Sequence, residues 1–168
     1  MDKNIFPMQS TAAYSTLLSL AEERILLLDG GMGTMIQRFN LTEKDFLGHK
    51  GNNDILVLSR PDVVEKVHLE YLESGADIIE TCTFNSNAIS QADYGLESEC
   101  YKFNKTGAEI AKRAVEKYRQ GKPCLSGSSH SGPFVAGSIG PTSKAAGMAS
   151  KVEDPANRGV TFRELANA

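Results

Sequence analysis

The chain has 168 residues, of which 40% are hydrophobic and 23% are charged, and its formal net charge is −3. This length and composition are those of one globular domain with its own core. The mild acidity gives no electrostatic reason to expect nucleic acid or a membrane as a partner. No apolar run approaches the roughly 18 residues of a spanning helix, and residues 1–9 lack the apolar segment of a secretory signal.

The three cysteines, Cys82, Cys100 and Cys124, are widely spaced and form no CxxC pair. An odd number of scattered thiols argues against a disulfide framework and favours a reducing, cytoplasmic location. The lack of short-range ligand pairs also disfavours a zinc site built from these three residues, although the spacing leaves that alternative open.

The first predicted elements surround a short apolar run. Residues 1–20 form a lead-in that contains the start of a helix predicted over Tyr14–Glu23. The run RILLL, Arg24–Leu28, is typical of a buried strand because it is apolar, short and closed by glycines. The residues after it predict a short helix over Thr34–Phe39 and a further helix capped by Thr42.

The clearest unit is SRPDVVEKVHLEYLESGADIIET. Ser59 as N-cap and Pro61 in the first turn predict a helix over Pro61–Ser74, which Gly75 ends. His68 has charged neighbours in this helix, so we expect it at the surface. ADIIET then predicts a second strand.

The same alternation continues to the end of the chain. A long helix is predicted over Ser98–Arg119, a third strand within PFVAGSIGPT, and a final helix with a capping box of Thr161 and Glu164. Between them, Leu125–Gly132 is typical of a linker, and ASKVEDPANRG is typical of a polar loop. Helices that alternate with short apolar strands indicate an α/β fold with parallel strands.

Each predicted strand ends in polar residues or glycines. Because ligands bind at the carboxyl ends of parallel strands, we expect Asp29, Glu80 and Thr142 to lie on one edge of the sheet and to face a substrate. Each residue alone has a plainer explanation, as a turn cap or a solvated strand end. The repetition of this feature over three strands favours a binding site, and its members are Asp29, Gly30, Gly31 and Gly33 after the first strand, Glu80, Thr81 and Thr83 after the second, and Ser138, Gly140 and Thr142 after the third.

A dinucleotide-binding loop is the competing interpretation of GMGTMI. Ile36 stands where the GxGxxG fingerprint needs a small third residue, and no acid-ended strand follows about 20 residues on. A P-loop is excluded because no GK[S/T] follows. The sequence therefore disfavours a nucleotide site at this loop.

Three stretches together, LLLDGGMGTMIQ, GNNDILVLSRPDVVEKVHLEYLESGADIIETCTFNSN and VAGSIGPTSKAAGMAS, closely resemble the N-terminal homocysteine-binding domain of cobalamin-dependent methionine synthases. The resemblance covers about residues 20–168, apart from Leu125–Gly132. It implies a (β/α)8 barrel in which homocysteine binds at the carboxyl ends of the strands with its sulfur on zinc. It also implies that the zinc-bound thiolate takes a methyl group from methylcobalamin, which receives it from 5-methyltetrahydrofolate.

The resemblance assigns substrate binding to residues at the predicted strand ends and to none of the cysteines. In the family, the zinc-binding cysteines come from later strands, so we expect no catalytic residue and no ligand for zinc or cobalamin in this chain. The implied partners are homocysteine and the folate and cobalamin modules of a longer protein. The residues implied to bind substrate are Asp29, Gly30, Gly31, Thr34, Glu80, Thr81 and Thr142.

A complete barrel of this kind needs about 250 residues, and the chain offers about the first three β/α units. We therefore expect residues 21–168 to be the N-terminal portion of a barrel truncated at its C-terminus, inactive by itself. An unpaired first strand also predicts association through its edge, and the missing strands predict that the isolated chain does not bind homocysteine measurably. Two alternatives remain, which are a cobalamin-independent homocysteine S-methyltransferase and a non-catalytic truncated pseudo-domain.

Overall fold

The computed structural model describes residues 12–121, 132–147, 149–151 and 154–168. The helices in these ranges are α1 (Ala12–Glu23), α2 (Met32–Ile36), α3 (Leu56–Ser59), α4 (Pro61–Glu73), α5 (Ala88–Gln91), α6 (Cys100–Gln120) and α7 (Phe162–Asn167). The strands are β1 (Ile78–Glu80), β2 (Phe134–Ala136), β3 (Ala149–Lys151) and β4 (Asp154–Arg158). Short 3-10 helices lie at Gln37–Phe39, Asn53–Ile55, Ala92–Tyr94 and Glu97–Glu99.

Three segments of the chain run side by side in parallel, as the α/β prediction requires. β1 pairs with β2 in the register Ile78 to Phe134, and on its other side Ile78 forms a parallel bridge with Leu28. The predicted first strand, Arg24–Leu28, is thus reduced to one bridge. Its pairing is short because the Asp77 side chain, rather than a strand backbone, accepts the Leu27 N–H at 2.9 Å and binds the Arg24 guanidinium.

The core lies between this sheet and the two long helices, with α4 packed against α6. Close packing brings α6 onto the carboxyl end of β1, since a Cβ at Gly107 would lie 2.6 Å from Thr83 Cγ2. Burial of each large apolar side chain contributes about 1.5–3 kcal/mol to stability. The two buried clusters contain Ile36, Phe46, Ile55, Leu56, Val57, Val64, Cys82, Phe103 and Ile110, and Leu72, Ile79, Ala111, Ala114 and Val115.

The helices predicted over Pro61–Ser74 and Ser98–Arg119 and the final capping box are confirmed. Ser59, however, is not an N-cap, because its hydroxyl donates back to the Ile55 carbonyl at 3.2 Å. Thr42 caps no helix either. Its N–H and hydroxyl both donate to the Asp45 carboxylate, at 2.7 and 2.8 Å, which closes a series of turns instead.

Two further expectations from the sequence are wrong. His68 is fully buried rather than at the surface, and it lies on α4, the helix that packs against α6. The segment predicted as a polar loop forms the antiparallel pair β3–β4. The predicted linker, apart from Gly132, and Cys124 lie outside the described residues. Among the described residues, no helix is both long and apolar enough to cross a membrane.

Candidate substrate site

A cavity of about 350 Å³ opens where β1, β2 and the Leu28 segment end. This volume is within the range of small-molecule sites. Its polar lining includes three carboxylates, and none of the described residues that line it is Lys, Arg or His. The lining residues are Asp29, Gly30, Gly31, Met32, Gly33, Asn53, Asp54, Glu80, Thr81, Cys82, Phe84, Asn85 and Ser138.

Asp29 and Glu80 meet at this edge, as the pattern of strand ends predicts. Asp29 Oδ2 accepts the Glu80 N–H at 2.9 Å, whereas the buried Oδ1 has no partner among the described residues. Burial raises the pKa of Asp29 from 3.8 to about 6, and the charge of Glu80 adds to this effect while the Glu80 N–H opposes it. Above that pH, Asp29 presents an ionised oxygen that lacks a donor.

The glycine loop after Asp29 leaves little room for a side chain at Gly30 or Gly31. A Cβ at Gly30 would lie 3.1 Å from Tyr71 Oη, and one at Gly31 would lie 3.0 Å from Thr34 Oγ1. Neither glycine has a positive φ, so space rather than backbone conformation is the constraint here. Tyr71 and Thr34 both donate hydrogen bonds to the Gly31 carbonyl, at 3.3 and 2.8 Å. Thr34 therefore supports the loop from behind and does not line the cavity.

Two threonines and a serine connect the ends of β1 and β2 in a closed cycle. Thr83 donates to the Ser138 carbonyl at 3.0 Å, and the Ser138 N–H donates to Thr81 Oγ1 at 2.9 Å. The two threonine hydroxyls lie 2.7 Å apart, and because the Thr83 proton is already used, Thr81 must be the donor between them. The Thr81 hydroxyl is thus committed to fixing the sheet edge.

Thr142 is not brought into the cavity. After β2 the chain turns at Gly140, whose N–H donates to the Phe84 carbonyl at 2.9 Å, and Thr142 then bonds the Lys144 carbonyl through its hydroxyl. Ser138 is the member of the third strand end that reaches the lining.

Asp54 lines the cavity but was not predicted from the sequence, because it directly precedes an apolar segment. Only 2% of it is exposed, and its Oδ2 accepts the Asn85 N–H at 2.8 Å and the Ser86 hydroxyl at 2.7 Å. Burial raises the pKa of Asp54, and these two hydrogen bonds oppose the rise. Its partners lie about 30 residues away in sequence, so no local signal marks it.

The described residues do not fit a zinc site. No three of their His, Cys, Asp and Glu side chains are grouped closely enough to hold a metal ion. Burial raises the pKa of the Cys82 thiol far above neutrality, so Cys82 keeps its proton, which zinc binding requires a cysteine to lose. Cys82 is a buried core residue next to the cavity.

Comparison with known proteins places the chain in a family. The sequence profile described as homocysteine S-methyltransferase matches residues 26–168, and the chain belongs to this family.

Two crystal structures of the homocysteine methyltransferase MmuM from Escherichia coli are similar to the chain. The metallated form is 26% identical with a TM-score of 0.59, and the oxidized form is 28% identical with a TM-score of 0.60. Each match covers 75% of this chain and 41% of MmuM. The chain therefore spans about two fifths of the length of these relatives.

Proposed function

We propose that the chain carries the amino-acid-binding end of a homocysteine S-methyltransferase site, within the first part of a (β/α)8 barrel. The whole protein would transfer a methyl group to the sulfur of homocysteine and form methionine. The single observation that carries the proposal is Asp29, a half-buried carboxylate in a cavity whose described lining has no cationic side chain, with one oxygen that no described residue partners. Family membership supports the choice of homocysteine as the amino acid.

The cavity suits the charged end of an amino acid. An ammonium group supplies the donors that Asp29 Oδ1 lacks, and the exposed Glu80 carboxylate beside it adds a second negative charge. The Gly30–Gly31 backbone offers N–H groups to the substrate carboxylate, with no side chain to hold the ligand away. The described residues provide no group to ionise the substrate thiol, so we assign them binding and orientation only.

The proposal also concerns which molecule donates the methyl group. The named relatives support a cobalamin-independent homocysteine S-methyltransferase better than a cobalamin-dependent methionine synthase. The cobalamin-dependent interpretation, with folate and cobalamin modules as partners, rests on the resemblance of the stretch Gly51–Pro61. Sequencing the gene downstream of the Ala168 codon separates these alternatives. Cobalamin- and folate-binding modules would favour methionine synthase, the end of a single barrel the cobalamin-independent enzyme, and an immediate stop codon a pseudo-domain.

A cytoplasmic location is part of the proposal. The free thiols of Cys82 and Cys100 are consistent with a reducing compartment.

Ligand-observed NMR tests the binding site directly. The cavity is lined by described residues, so we expect the chain at pH 7.5 to bind L-homocysteine, contrary to the expectation from its truncation. We expect it to bind 4-mercaptobutanoate, which lacks the amino group, at least tenfold more weakly. Asp29→Asn should remove most of this preference because the neutral amide cannot form an ion pair with the ammonium group. Asp62→Asn serves as the control, since it removes an exposed carboxylate that pairs with Arg60 away from the cavity. Equal binding of the two compounds by the unmodified chain would refute recognition of the ammonium group.

A further inference from the structure

Three polar side chains, of which Asp54 and Gln91 are buried, hold the loop Phe84–Ser86, which forms one wall of the cavity. Asp54 binds the Asn85 N–H and the Ser86 hydroxyl from below. Gln91 donates to the Asn85 carbonyl at 3.1 Å, and Asn104 of α6 donates to the Ser86 carbonyl at 2.7 Å. The backbone of the loop is thus fixed from three separate parts of the chain.

Asp54 is the charged member of this network. It is 2% exposed and forms no ion pair among the described residues, so the two donors from the loop are what stabilises its carboxylate. Gln91 is itself fixed by Asn52, with which it exchanges hydrogen bonds of 2.7 and 3.3 Å. A buried hydrogen-bond network of this kind rigidifies the segment that it contacts.

The rigid backbone carries side chains that stay open to solvent. Phe84 is 52% exposed and Asn85 is also exposed, and both line the cavity. The Phe84 carbonyl is held by the Gly140 N–H, which ties the loop to the end of β2 as well. Because its backbone is fixed, the exposed aromatic ring is preorganised before a ligand binds. Preorganisation lowers the entropy cost of binding.

We propose that Asp54 is a positioning residue, which fixes the loop Phe84–Ser86 so that Phe84 and Asn85 form a preformed wall for the aliphatic part of the substrate. This inference rests on the proposed function, since it takes the amino-acid substrate from there. Asp54 also lines the cavity, but the role assigned to it here acts through the loop.

The experiment combines amide hydrogen exchange with titration of L-homocysteine in the unmodified chain and its variants. Asp54→Ala should raise exchange of the Asn85 amide about tenfold or more, because that N–H loses its charged acceptor. Exchange of amides in the middle of α4 should change less than threefold, and L-homocysteine should bind about tenfold more weakly. Asp54→Asn keeps a carbonyl oxygen as acceptor and should restore most of both properties. Ser86→Ala, which removes one of the two donors, replaces Asp54→Ala if that variant does not fold. It should also raise amide exchange only within the loop Phe84–Ser86, by a smaller factor.

Three outcomes would overturn the inference. They are unchanged exchange at Asn85, faster exchange spread equally over α4 and α6, and weaker ligand binding with an undisturbed loop. The control Asp62→Asn should change neither readout. Failure of the unmodified chain to bind L-homocysteine would instead count against the proposed function, and the exchange data would still decide whether Asp54 fixes the loop.

Discussion

Replacement of Asp29 by asparagine should stabilise the fold at neutral pH while it removes the proposed binding function. The pKa of Asp29 is raised from 3.8 to about 6, mainly by burial, so the folded state disfavours the ionised carboxylate. At about 1.4 kcal/mol per pH unit, this corresponds to about 3 kcal/mol. Because Asp29 is only half-buried, solvent screening reduces the expected gain to about 1–2 kcal/mol. The amide oxygen of the introduced side chain can still accept the Glu80 N–H.

The sign of the pH dependence follows from the same pKa. Above pH 6, Asp29 is ionised in both the folded and the unfolded chain, and the full cost of its burial is present. As the pH falls from 6 to 3.8, the folded state binds a proton first and the cost disappears. The advantage of Asp29→Asn should therefore be largest at pH 7.5 and vanish near pH 4.

Urea unfolding followed by circular dichroism, at one protein concentration and at pH 7.5, 6 and 4, measures this difference. The matched control is Asp62→Asn, whose carboxylate has its pKa lowered by the hydrogen bond from Arg60, so that variant should lose stability at pH 7.5. An Asp29→Asn variant that is less stable than the unmodified chain at pH 7.5, or a gain that does not change with pH, would refute the reasoning.

Three other variants test the packing and the exposed edge. Gly140→Ala should destabilise the chain by about 1–3 kcal/mol in urea unfolding, because the new methyl group would clash with the Phe84 carbonyl oxygen. The control Gly137→Ala places its methyl group in open space, so its stability should be within about 0.5 kcal/mol of that of the unmodified chain. Equal effects of the two substitutions would contradict this reasoning. His68 is buried without a hydrogen-bond partner among the described residues, and burial lowers its pKa from 6.5 to about 4. The unmodified chain should therefore lose stability as the pH falls from 6.5 to 4, and His68→Leu should not show this loss. An unchanged pH profile in His68→Leu would show that His68 does not cause the loss. Ile25 is 86% exposed beside the parallel bridge, so Ile25→Lys should reduce self-association in sedimentation velocity, and an identical sedimentation profile would argue against association through this edge.

Local sequence patterns were sufficient to predict the long helices and to predict that Asp29 and Glu80, at the ends of two strands, lie close together. The proline at the start of α4, the glycine after it and the apolar spacing along α6 are signals carried within a few residues of one another. The reciprocal bonds of Thr161 and Glu164 are equally local. Adjacent parallel strands end at the same edge, and for this reason Asp29 and Glu80 could be expected together.

Tertiary structure alone decided the extent of the first strand, the burial of His68 and the roles of Thr81 and Asp54. Each depends on a contact between distant segments. The Asp77 carboxylate accepts the Leu27 N–H from 50 residues away in sequence, and Asp54 accepts the Ser86 hydroxyl from 32 residues away. His68 is fully buried on α4, the helix that packs against α6. The residues on either side of a polar side chain are the same whether that side chain faces water or a buried hydrogen-bond donor. The free energy that favours one environment over the other comes from the distant group that the fold brings next to the side chain.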